Sequence, residues 1–293
     1  MNADERIEAA SSFLLQSPPG EINDVLNDIR TIISDDDSLQ TGILPALHKY
    51  NVAQFITVDV PGQAHQVIIS EAGRDKDDSN RFIDPRSKQS FAFDHLRLEA
   101  SDTQAIEPDS SSEPFREALE RATLAYVEDH FHDGVASVFA DLDAPKTFTV
   151  QIVANKYNPP NFWAGRWRSE YIVDLDKGEA RGTVLVNVHY YEQGNVQLAT
   201  THKPTLDLPS SLHTPEPANA SKILALIERE ESAHESALSA AFQDMADKSF
   251  KSLRRALPLT KQKLDWDKVS GYKLGAELTA SRGIFGTSTE DVS

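Results

Sequence analysis

Three features of the 293-residue sequence predict an α+β fold. Apolar stripes of helical spacing occupy the N-terminus, period-two alternation fills residues 147–201, and a second helical pattern of about 40 residues begins after Pro217. Together they predict an N-terminal three-helix unit, a short β segment, and an antiparallel β-meander covered by a long C-terminal helix, with a short amphipathic helix near the end. The corresponding spans are 1–53 for the helical unit, 54–113 for the β segment and a linker, and 114–256 for helix, meander and long helix. Residues 257–280 follow as the amphipathic element, and 281–293 as a polar, disordered end.

The N-terminal stripes are Ile7, Ala10, Phe13 and Leu14; then Ile22, Val25, Leu26, Ile29, Ile32 and Ile33; then Leu39, Ile43, Leu44 and Leu47. Pro18-Pro-Gly20 and Ser34-Asp-Asp-Asp-Ser38 break the chain between them, which favours a small antiparallel three-helix arrangement. From Gln54 the signal turns to β, with Phe55 to Val60, Gln66 to Ser70 and Ser90 to Leu98 as short strands. The polar, Ser-rich stretch from Ser101 to Pro114 reads as a linker or exposed loop. Pro114 then opens a helix running to about Phe131, at a position where its missing N–H costs nothing. Thr147 to Ala154, Trp167 to Leu175, Thr183 to Tyr191 and Val196 to Thr201 alternate in period two. Turns at Asp176-Lys-Gly-Glu179 and Glu192-Gln-Gly-Asn195 separate strands, so the pattern is an antiparallel meander.

The pattern after Pro217 stops near Ala256, ahead of Pro258. A helix of about 40 residues is roughly 60 Å long, more than the ~50 Å width of a compact chain of this size, and is expected to lie across more than its own subunit. Ile223, Ile227, Glu230, His234, Leu238, Ala241 and Met245 fall on one face. Glu230 and His234 then sit four residues apart among apolar neighbours, where polar groups need partners. Glu230, His234, Leu238 and Met245 are accordingly the expected partner-interface residues.

Charge singles out the C-terminus. From Lys248 to Arg282 nine basic residues stand against three acidic ones, a local balance of +6 in a chain of −17, so the remainder sums to −23. A basic segment on an acidic body is built to meet an acidic surface. The body itself should repel nucleic acid, which is not an expected partner. Trp266, Val269, Tyr272 and Ala276 form one narrow apolar stripe within this segment, but Gly271 and Gly275 weaken it by roughly 1 kcal/mol each relative to Ala. So short a helix is marginal alone and gains order by docking.

Other constellations favour plain structural roles. His130-Phe-His132-Asp133 and the Glu230/His234 pair lack the third ligand that a metal site needs, and read as a solvated helix end and interface hydrogen bonds. The Asp75-Lys-Asp-Asp-Ser-Asn80 run has Asn80 where a calcium loop needs Gly, and Arg86 where it needs the bidentate Glu. Asn161 to Tyr171 packs three aromatic rings and two guanidiniums into a strand-entry corner, read as packing rather than a cation–π site. No phosphate loop, dinucleotide fingerprint or nucleophile elbow is present, so neither catalytic residues nor a cofactor are expected. The absence of cysteine fits a reducing compartment, and the charged N-terminus does not resemble a signal peptide.

Val188-His-Tyr-Tyr-Glu-Gln-Gly-Asn-Val196 and Phe250-Lys-Ser-Leu-Arg-Arg-Ala-Leu-Pro-Leu-Thr260 resemble the two signatures of the F-actin capping protein alpha subunit family. Asn161 to Ser169 and Leu264-Asp-Trp-Asp-Lys268 resemble further blocks of that family, so the likeness spans nearly the whole chain. Two departures are visible. Gln193 stands where Asp is common, and Lys261 where Arg is usual; Lys keeps the charge but loses the bidentate fork. The resemblance implies an obligate heterodimer with a beta subunit, one shared sheet crossed by long antiparallel helices, and capping of actin-filament barbed ends in the cytoplasm and cortical cytoskeleton, without calcium. Its actin-binding C-terminal "tentacle" maps onto Lys251, Arg255 and Lys261, with Arg254 and Lys263 as neighbours and Trp266, Val269, Tyr272 and Leu278 as apolar anchors. The alternative reading is a membrane-surface protein using the same cluster to bind acidic phosphoinositides.

Overall fold

The computed structural model describes residues 3–33, 42–192 and 196–245. The chain divides into two compact units, 1–235 and 236–293. Of the described residues, 236–245 belong to the second and all the others to the first.

Three helices open it: α1 (Ala3–Leu15), α2 (Ile22–Ile33) and α3 (Leu44–Ala53). Ala10 and Leu14 of α1, Ile29 of α2, and Ile43 and Leu47 at the start of α3 close into one small core, as the three stripes require. Gly20 takes φ +83° in the Pro-Pro-Gly turn, a conformation suited to glycine. Of the third stripe, Leu39 lies outside the described residues, and the helix begins at Leu44 with Pro45 in its first turn.

Next come the hairpin β1 (Thr57–Asp59) and β2 (Gln66–Ile68), and a three-stranded sheet in the order β3 (Arg81–Asp84), β4 (Gln89–Asp94), β5 (Glu99–Ala105). Val58, Val67, Ile69, Phe82, Phe91 and Phe93 bury a second core between them. Two sequence expectations change here. The strand expected over 90–98 ends at Asp94, whose Oδ1 accepts the N–H groups of Leu96 (2.8 Å) and Arg97 (3.0 Å) and caps a tight turn. The supposed linker then begins with β5, a strand with an almost wholly exposed, polar sequence. No apolar alternation could mark it, because it is held by the backbone ladder to β4 and by the Arg81 guanidinium, which donates to Asp102 Oδ2 at 2.6 Å and to the Asp102 carbonyl at 2.7 Å.

Helix α4 (Glu113–His130) packs Phe115, Leu119, Tyr126 and Val127 against the main sheet. That sheet comprises β6 (Val135–Ala140), β7 (Thr147–Asn158), β8 (Trp163–Asp174), β9 (Glu179–Tyr190) and β10 (Val196–His202), neighbours in the order β10-β9-β8-β7-β6. The short β11 (Thr205–Asp207) pairs with the start of β9. The meander is the predicted one, with β6 added and β7 and β8 extended to their joining turn; their register runs from Thr147↔Asp174 to Asn158↔Trp163. Gly182 lies opposite Tyr171, and a Cβ there would stand 2.4 Å from that ring, so glycine makes room for the buried phenol.

Helix α5 (Pro217–Asp244) starts where expected and spans 28 described residues, or about 42 Å. Ala220, Ile223, Leu224 and Ile227 join the main core with Val138, Phe148, Val150, Val173 and Val184.

On the opposite face of β8, Arg166 and Arg168 are buried against α3. Arg166 Nη1 donates to Gln54 Oε1 at 2.6 Å and Tyr50 OH at 3.1 Å. Arg168 donates to the Gln54, Ala154 and Trp167 carbonyls and to Asn155 Oδ1 at 2.5–3.0 Å. Burial, with the neighbouring Arg166 charge, lowers the Arg168 guanidinium to about 9. The aromatic–arginine corner is therefore structural, tying the helical unit to the sheet.

Candidate functional site

The expected actin-contacting residues Lys251, Arg254, Arg255, Lys261, Lys263, Trp266, Val269, Tyr272 and Leu278 lie outside the described residues. The described residues before that segment in sequence include helix α5 and the sheet face beneath its first part.

Strand registers fix that face row by row. His202, Val184 and Ser169 lie side by side across β10, β9 and β8; Thr200, Val186 and Trp167 form the next row, then Leu198, Val188 and Gly165, then Val196, Tyr190 and Trp163. Ile223 and Ile227 cover the deeper end. At His202 the cover turns polar.

There Glu231 of α5 is buried beneath the helix, and the Tyr126 hydroxyl of α4 donates to its Oε2 at 2.7 Å. The Ser169 and Tyr171 hydroxyls are directed at the same carboxyl without reaching hydrogen-bond geometry. Burial raises the carboxyl above the ordinary range, and burial with the facing Glu231 raises both phenols.

One step outward, His202 Nε2 lies 2.9 Å from Glu230 Oε1. A carboxylate only accepts, so Nε2 carries the proton. The His202 ring stacks on His234, with centroids 4.4 Å apart and planes 8° from parallel, and His234 also contacts Trp167 at 6.2 Å. Burial and the adjacent His202 lower the His234 imidazole, opposed by Glu230.

Of the residues expected at a partner interface, Glu230 and His234 thus come together, bridged by His202. Met245 is exposed and Leu238 half-buried. The buried carboxylate on this helix is Glu231, not Glu230, whose side chain is 30% exposed. Sequence reasoning missed Glu231, His202 and Tyr126. At 3.6 residues per turn, 220, 223, 227 and 231 trace a face as well as 223, 227 and 230 do, and nothing local decides between adjacent glutamates. His202 could be found only through the β9–β10 register.

Past the histidines the sheet face is apolar and open: Val188, Tyr190 and Val196 are exposed, Val196 to 64%, as is Phe162 beside them. Phe242 on α5 is also exposed. Large apolar side chains thus stand exposed on a sheet face that ends at edge strand β10.

The other clusters are structural. The exposed His132 and Asp133 form a 3.3 Å pair, while His130 Nδ1 sits 2.9 Å from the Tyr126 carbonyl and its Nε2 3.7 Å from Glu228. Asp75 and Asp78 accept the N–H groups of Asp77 and Asn80 at 2.9 Å, capping turns. His189 Nδ1 meets Glu21 at 2.5 Å and ties β9 to the helical unit. Among the described residues no three or more His, Asp or Glu side chains form a group that could hold a metal ion. None of the described helices is long and apolar enough to cross a membrane.

Comparison with known proteins gives a consistent answer. The family model for the F-actin capping protein alpha subunit matches residues 10–277. Proteins named F-actin-capping protein subunit alpha from Emericella nidulans and Caenorhabditis elegans are each 37% identical, over 278 and 284 residues. The matches cover 94% of this chain and 98% and 97% of those proteins. The Dictyostelium discoideum protein of the same name is 31% identical over 281 residues, again 94% of this chain and 98% of that one. The solved structure of a homodimeric actin capping protein alpha subunit from Plasmodium berghei superposes with a TM-score of 0.65 at 23% identity, covering 84% of this chain and 94% of that one, which carries the fold. With a family model matching residues 10–277 and relatives 37% identical over 94% of its length, the chain belongs to the F-actin capping protein alpha subunit family.

Proposed function

We propose that the chain is the alpha subunit of a heterodimer that binds the barbed ends of actin filaments and blocks both addition and loss of subunits, without calcium. The observation that carries this reading is the extent of the family match. It runs to residue 277 and so takes in the basic segment from Lys251 through Tyr272, leaving Leu278 one residue outside.

The electrostatics support it. A body of −23 meeting an acidic filament is repelled, so the +6 segment supplies steering and attraction. Exposed ion pairs of Lys251, Arg254, Arg255, Lys261 and Lys263 contribute only about 0–1 kcal/mol each, so tight capping also needs Trp266, Val269, Tyr272 and Leu278 as apolar anchors. A second arm from the beta subunit adds avidity. The action is occupancy, with no covalent step, in the cytoplasm and cortical cytoskeleton. The open apolar face of β8–β10 and the exposed end of α5 are the surfaces proposed to receive the beta subunit, with Glu230, His234, Leu238 and Met245 at the interface.

A seeded actin elongation assay with the co-purified heterodimer, full length and truncated after Ala256, tests the reading. Truncation is expected to weaken capping by orders of magnitude while assembly persists; unimpaired capping by the truncated protein refutes the arm. Binding to phosphoinositide vesicles with no effect on barbed-end growth would instead establish the lipid alternative.

A further inference from the structure

We propose that the stacked imidazoles of His202 and His234 form a proton-operated latch that holds the stretch of α5 up to Glu235 against edge strand β10 at neutral pH and releases it on mild acidification. The latch stands on geometry. Two histidines from different elements lie face to face at 4.4 Å, the only histidine on β10 against the only one on α5. Neutral rings stack favourably, whereas two imidazoliums in that arrangement place like charges within contact distance. His234 Nε2 is buried without a hydrogen-bond partner, so a second proton there would also be an unsatisfied buried donor. By contrast His202 has Glu230 to accept from it, and its side chain is 34% exposed, so protons reach the pair from solvent. His234 Nε2 has no such acceptor, so a proton added there has no partner while the rings remain stacked.

Among the described residues, the carboxylates facing the pair are already engaged. Facing the pair are Glu230 and the buried Glu231 from α5, Trp167, Ser169 and Tyr171 from β8, uncharged Val184 and Val186 from β9, and Thr200 from β10. Tyr126 and the His130–Glu228 pair lie on the α4 side. Glu230 is engaged by His202, and Glu231 by Tyr126. The sign follows directly. Burial depresses His234 below its ordinary 6.5, so holding α5 in place is fully favourable above about 6.5 and weakens as pH falls below it. Because α5 leads in sequence into the basic segment, release is also expected to make filament-end binding depend on pH. This consequence rests on the actin reading, but the latch itself does not.

Hydrogen exchange of the full-length protein, purified with whatever subunit it assembles with, reads the latch without reference to actin. After correction for intrinsic rates, amides of residues 224–235 are expected to open roughly threefold or more as pH falls from 7.5 to 5.5, while those of β7 and β8 stay constant. His234→Phe keeps a stacked ring but cannot titrate, and is expected to flatten the profile. His202→Gln, which still donates to Glu230, is expected to do likewise and serves if the first variant folds poorly. Glu231→Gln is expected to leave the profile in place. A flat wild-type profile, an unchanged rise in both histidine variants, or a rise abolished by Glu231→Gln would overturn the proposal.

Discussion

Tyr126 and Glu231 come from helices about a hundred residues apart, and their 2.7 Å hydrogen bond lies in the floor of the main core. Removing the donor leaves a buried carboxyl unsatisfied, which costs about 1–3 kcal/mol, whereas replacing both partners with apolar groups is far less damaging. Tyr126→Phe is therefore expected to lower the unfolding midpoint in urea, and Tyr126→Phe with Glu231→Leu to recover much of the loss. A double variant as unstable as the sum of the singles would show that the two groups act independently. A second residue-level expectation concerns His95. Its ring packs against His48 at 4.3 Å, and burial, then His48 and Arg74, lowers it to about 4. Since the folded state resists protonation, stability is complete above 6.5 and falls as pH drops toward 4, by on the order of 2–3 kcal/mol at most. Denaturant unfolding at pH 7 and 4.5 should show a smaller acid loss in His95→Asn than in the wild type; equal losses would place the acid sensitivity elsewhere.

At the scale of elements, legibility followed the source of each element's stability. Helices α1, α2, α4 and α5 and strands β7 to β10 bury one face, and burial writes a period into the sequence that can be read back. Strands β3 and β5 could not be read. β3 is four residues with a buried Arg81, and β5 has polar residues on both faces, so neither carries alternation; each is specified by its neighbour's backbone and by the Arg81–Asp102 contact. The same reason hid the polar cluster under α5. Its members come from β8, β10, α4 and α5, and only the finished register brings them together. The β8–β9 pair makes a sharp prediction of its own. Gly182→Ala drives a methyl group toward the Tyr171 ring, and the buried phenol has no room to retreat, so a loss of about 1–3 kcal/mol is expected. A thermal midpoint unchanged from wild type would mean that the two strands shift freely.

For the whole molecule, the open edge at β10 and the apolar rows beside it predict behaviour in isolation. Expressed alone, the chain is expected to aggregate or to pair with itself, and co-expression with a beta subunit to yield a stable 1:1 complex measured by light scattering. A well-behaved monomer would contradict the obligate partnership. The Plasmodium berghei relative is described as homodimeric, which makes a defined two-copy species the other informative result. The family was legible because its signals are contiguous in sequence, two uninterrupted motifs. The exposed apolar face was not, being assembled from three strands, β8 to β10, through their register.

Strand β5 has a practical consequence. The sequence contains no cysteine, and Thr103 sits exposed at the bulge where the β4–β5 register shifts, without a cross-strand partner. A single Thr103→Cys substitution would give one reactive thiol per chain, remote in sequence from both the basic arm and α5. A dye attached there could report residence times of individual molecules on filament ends while leaving the proposed contacts unmodified.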